Sequence, residues 1–144
     1  MSETSSITPD VSSLTTGRVV SVEGSAVVLK LAGTDYQLLL QCRGALPAEG
    51  SKVTGVIAAK AKRVDVVPAG GRYIEPVAGR PRRVQGRVVA GDTGKNTLTV
   101  KAATAVVVSL MDLQKTADFS VGQLVSFDVE PGATFEPVSS AVSA

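Results

Sequence analysis

The 144 residues contain no histidine, no tryptophan and one cysteine, and aromatics make up only 3%. The absence of histidine removes the commonest neutral-pH general base together with the commonest metal ligand. A single cysteine cannot build a Cys-rich zinc site. Catalytic triads, Cys/His dyads and structural zinc are therefore excluded. Carboxylates occur singly along the chain, so no pair can be assigned to acid–base work. The expectation is a protein that is not an enzyme, with no cofactor, no metal and no small-molecule substrate. No stretch approaches the roughly 18 consecutive apolar residues of a membrane-spanning helix. Residues 1–10 also lack the basic and apolar regions of a signal peptide. A cytoplasmic protein without a membrane partner is expected, or one inside a particle assembled there. Cys42 ends an apolar run that begins at Tyr36 and is read as a buried, inert thiol.

What is present is small and apolar. Hydrophobic residues make up 44% of the chain, mostly Val, Ala and Leu, a composition that suits sheet. An internal repeat organises them. Gly17-Arg18-Val19-Val20 recurs as Gly86-Arg87-Val88-Val89, and Gly50-Ser51-Lys52-Val53 recurs as Gly122-Gln123-Leu124-Val125. The offset is 69 residues at the first pair and 72 at the second. Residues 63–67 and 135–138 form a third matching pair. A duplicated unit of about fifty residues explains all three.

Each copy reads as short strands broken by turn residues. In the first these are 17–22, 25–31, 35–42, 52–59 and 61–67; in the second, 84–90, 97–101, 105–110, 123–129 and 134–138. Residues 111–119 are the only segment with helical character, and Met111, Leu113 and Phe119 are expected to cap a barrel end. Three strands, a connector and two more strands resemble the OB-fold, a five-stranded Greek-key barrel. The fold class expected is all-β, with two small five-stranded OB-like or SH3-like barrels at 17–67 and 84–138. An N-terminal arm (1–16), a basic connector (68–83) and a tail (139–144) complete the chain. On composition, both ends should be disordered. Tyr73-Ile74-Glu75-Pro76-Val77 echoes Phe135-Glu136-Pro137-Val138, and both read as edge strands halted by proline or as arms that pair with a neighbour.

The net charge of +2 hides a strong polarity. Residues 60–101 carry ten basic and three acidic side chains, or +7; residues 1–59 sum to −1 and residues 102–144 to −4. The binding residues predicted from this are Arg72, Tyr73, Arg80, Arg82, Arg83, Arg87 and Lys95, because guanidinium forks on a Pro/Gly-punctuated loop match both carboxylates and phosphates. The predicted acidic counter-surface is Asp112, Asp118, Asp128, Glu130 and Glu136. Set against each other on neighbouring copies, the two would build a homo-oligomer or larger assembly, such as a virion decoration or tail protein, a filament or a shell. The alternative is a nucleic-acid-binding tandem barrel that grips phosphates through the same basic segment. Base stacking is poorly served, since Tyr36 and Tyr73 are the sole aromatics outside the expected core. Gly91-Asp92-Thr93-Gly94-Lys95-Asn96 imitates the end of a P-loop, but position 89 is Val where the first Gly is required, and turn chemistry accounts for it.

Overall fold

The computed structural model describes residues 11–138. The expected disorder of the ends concerns mostly residues 1–10 and 139–144, which lie outside the described residues. The fold is all-β, a single sheet of 11 strands. In chain order they are β1 (Leu14–Glu23), β2 (Ala26–Leu31), β3 (Gln37–Cys42), β4 (Lys52–Val66), β5 (Tyr73–Glu75), β6 (Ala78–Gly79), β7 (Arg83–Asp92), β8 (Thr97–Lys101), β9 (Ala105–Ser109), β10 (Leu124–Val129) and β11 (Thr134–Pro137). Among the described residues the only helical turns are 3-10 turns at Val11–Ser13 and Thr116–Asp118. Among the described residues no helix is long and apolar enough to cross a membrane.

The repeated motifs occupy equivalent places. Gly17 lies against β2 so closely that a Cβ there would sit 2.5 Å from the Lys30 carbonyl oxygen, and one on Gly86 would sit 2.4 Å from that of Lys101. Only glycine permits that approach. The arginine that follows donates in each case to a glycine carbonyl, Arg18 Nη1 to Gly50 O at 2.6 Å and Arg87 Nη1 to Gly122 O at 2.8 Å. Val19 and Val88 donate their N–H groups to Ser51 O and Gln123 O, both at 2.9 Å. Register then slips by one residue in both strands, leaving Val20 and Val89 as bulge residues. The repeat is thus a set of matching contacts to the backbone, made by glycine, arginine side chain and valine N–H in turn.

The strand pairings close two rings. One runs β1–β2–β3–β11–β4 and back to β1. The other runs β7–β8–β9–β4–β10 and back to β7. In each ring the third strand meets the next in parallel, and all other contacts are antiparallel. Each ring therefore takes one strand from the other half of the sequence. The expected break near Lys60 does not occur: residues 52–66 form one 15-residue strand that pairs first with β1 and β11, then with β9 and β10. No Gly, Pro, Asn or Asp lies between Ile57 and Val64, so nothing turns the chain there.

Other expectations shift accordingly. Leu14 already pairs with Val56, so β1 starts three residues before the expected strand. β11 is not an edge strand, because it lies between β3 and β4. Gly55 makes room for it, since a Cβ there would meet Glu136 O and the Phe135 ring. β5 does lie at an edge, paired only with β7, and β6 adds two residues to β3. The connector is therefore built into the sheet through both halves, with Ile74 only 2% exposed. Residues 111–119 are mostly irregular, and Leu113 is 86% exposed instead of capping the core. Gln114 takes that place by polar contact, its Oε1 accepting from Val64 N–H and its Nε2 donating to Val64 O, both at 2.8 Å. One apolar cluster runs through both rings, with Phe127 and Phe135 its largest members and Phe119 packed against it.

Candidate binding surfaces

The connector arginines are placed by β5 and β6. Arg72 and Arg82 are exposed and Arg80 is half-buried. Arg82 N–H donates to Glu75 O at 2.8 Å, which folds the loop back on β5. Among the described residues none of these three guanidinium groups meets a carboxylate, for the only ion pairs there are Arg63–Asp65 and Arg83–Asp128. Lys95 lies exposed in the β7–β8 hairpin, where its N–H donates to Asp92 Oδ1 at 3.1 Å. That is turn chemistry, supported by Asn96 at φ 55.

Arg83 and Asp128 were assigned to opposite surfaces, yet they face each other across β7 and β10. Arg83 Nη1 donates to Asp128 Oδ1 at 2.7 Å, and Nη2 donates to Ser126 Oγ at 2.7 Å. The bond to Asp128 holds the guanidinium still more firmly in its charged form, against a smaller opposing effect of burial. Arg87 is likewise engaged by Gly122 O. Tyr73 is half-buried, its hydroxyl donating to Gln85 Oε1 at 3.3 Å, while Tyr36 packs on the core and its hydroxyl accepts Ile74 N–H at 3.3 Å. Both tyrosines belong to the scaffold.

The acidic residues are dispersed. Asp112 and Asp118 lie on the 111–119 segment, Glu130 follows β10 and Glu136 sits on β11, all exposed. Asp118 also accepts the Lys115 N–H at 3.0 Å. Asp112 stands between Met111 and Leu113, which are 38% and 86% exposed. That stretch joins negative charge to apolar surface.

A second cationic group escapes sequence reasoning. Arg18 on β1 is the register partner of both Lys30 on β2 and Lys52 on β4. Three cations therefore stand abreast on three adjacent strands, a span of about 10 Å at the usual strand spacing. They border a cleft of about 240 Å³ lined also by Thr16, Gly17, Leu31 and Ala32. It adjoins, through Lys52, a hollow of about 370 Å³ between Val53, Thr54, Pro137 and Val138. Neither lining contains a carboxylate. The three residues are far apart in a segment whose net charge is −1, so only the strand register reveals them.

Among the described residues no group of three or more Cys, Asp or Glu side chains is placed to hold a metal ion. Cys42 is half-buried, and burial pushes its thiol pKa up, away from the reactive thiolate. Comparison with models of protein families, with curated proteins and with solved structures finds no match to this chain.

Proposed function

We propose that this chain is a non-enzymatic assembly protein, made of two OB-type five-stranded barrels that share strands across an internal duplication. Each ring follows the OB order, in which strands one to three form a meander, the fifth runs parallel to the third, and the fourth returns antiparallel to the first. In this reading β11 serves as fifth strand of the first barrel, and the second half of β4 as fifth strand of the second.

The observation that carries the assembly reading is charge left without partners. Arg72, Arg80 and Arg82 have no carboxylate within the described chain, and Asp112 with its apolar neighbours Met111 and Leu113 faces outward. A basic connector set against the Met111-Asp112-Leu113 knuckle of the next copy makes a head-to-tail contact, which can close a ring or extend a lattice. The closed sheet leaves only very short free edges, so side chains rather than strand addition would form the contact. Such a protein acts in the cytoplasm or within the particle it helps to build. Mass measurement at low micromolar concentration tests the reading: oligomers should form and weaken when Arg80 and Arg82 become Glu. A strict monomer at every concentration contradicts it.

A second reading, phosphate-mediated binding of nucleic acid, is favoured by the Lys30–Arg18–Lys52 row, which has no acidic neighbour in its cleft. With Tyr36 and Tyr73 engaged in the scaffold, such binding would rest on the backbone of the nucleic acid and not on its bases. Binding of a mixed oligonucleotide should then fall steeply with added salt.

A further inference from the structure

We propose that the cleft bordered by Lys30, Arg18 and Lys52 binds the phosphate backbone of single-stranded nucleic acid, a site distinct from the connector arginines. The proposal rests on the second reading above and gives it a location. Like charges directly opposed across strands destabilise a sheet, so a row of three without a carboxylate calls for an anion outside the fold. Two of the three head groups are already oriented, Arg18 by Gly50 O at 2.6 Å and Lys30 by Thr34 O at 2.7 Å. Lys52 is exposed, and its ammonium has no hydrogen-bond or ion-pair partner in the described chain.

The second half shows that the row is not a by-product of the repeat. There Arg87 faces Lys101 on β8, but the place of Lys52 is taken by Leu124, only 3% exposed. The connector covers that position: Val67 N–H donates to Leu124 O at 2.9 Å, and Gly70 lies close to both Leu124 and Gln85. The third cation and the open cleft occur together in the first half only. The lining holds no aromatic side chain, so the site recognises phosphates without reading sequence.

The test uses the full chain and a fluorescent oligothymidylate, with affinity measured by anisotropy from about 50 mM salt upward. Three phosphate contacts give a slope of log K against log salt of about −2, and Lys52→Gln should reduce its magnitude by about 0.7. Lys52→Glu should weaken binding about tenfold, the effect of losing one charge-assisted contact. The Lys52 ammonium makes no contact the fold needs, and both variants relieve its repulsion with Arg18, so neither should unfold at a lower temperature than the wild type. Lys101→Gln, which removes a cation from the second half at the position equivalent to Lys30, should change neither affinity nor slope. If the wild type binds but Lys52 and Lys101 variants behave alike, the site is wrong while the second reading stands. If the wild type shows no binding at about 50 mM salt, both fall.

Discussion

Gly17 and Gly86 carry the clearest residue-scale lesson. The Gly-Arg-Val-Val repeat was legible as text, but its reason is steric and becomes visible only with the strands in register. Both glycines let a neighbouring carbonyl come within 2.5 Å of where a Cβ would stand. Gly17→Ala and Gly86→Ala should each destabilise the protein by about 1–3 kcal/mol, the cost of overpacking, as measured by urea unfolding. Equal stability of either variant would show that the repeat has another cause. Cys42 offers a chemical check. Burial raises the thiol pKa, so the thiolate fraction near pH 8 is depleted in the folded state, and iodoacetamide should modify it more slowly than a free thiol. The linkage has a definite sign: the shift favours the fold below the unfolded thiol pKa of about 8.5 and this contribution is lost as pH rises above it. The pairing of Arg83 with Asp128 was hidden because their positions differ by 45 residues and a charge count cannot show which charges meet.

At the scale of elements, local sequence announced strands well and partners poorly. Alternation and turn residues located most strand ends within a few residues, because burial of one face and hairpin chemistry are both local. The continuation of β4 through Lys60 departs from the two strands expected there, although no turn residue interrupts the run. Which ring each last strand joins was not, since an apolar extended segment fits either barrel and its choice is made by shape. Gly55 under Phe135 is such a shape. Phe135 is fully buried, so Phe135→Ala should cost about 3–5 kcal/mol and loosen β3 and β4, its neighbours, in amide exchange. Loss of protection confined to β11 would mean that the strand merely lies on a completed ring. The Lys30–Arg18–Lys52 row belongs to this scale too, for it exists only through the pairing of three strands.

Across the whole molecule, the two halves hold each other closed. β4 runs through both rings, β11 returns to the first, and the connector adds β5 to the second and β6 to the first. A single apolar cluster spans the result. The repeated sequence therefore specifies one cooperative unit instead of two beads on a string, and any assembly it joins receives a rigid block whose outward charges are fixed in place. Separate production of residues 1–70 and 71–144 tests this most directly, with amide NMR spectra recorded for each half and for their mixture. The first half lacks β11 and the second lacks β4, so neither should fold alone, while the mixture should give one dispersed spectrum. A dispersed, native-like spectrum from either half by itself would contradict the shared-strand account.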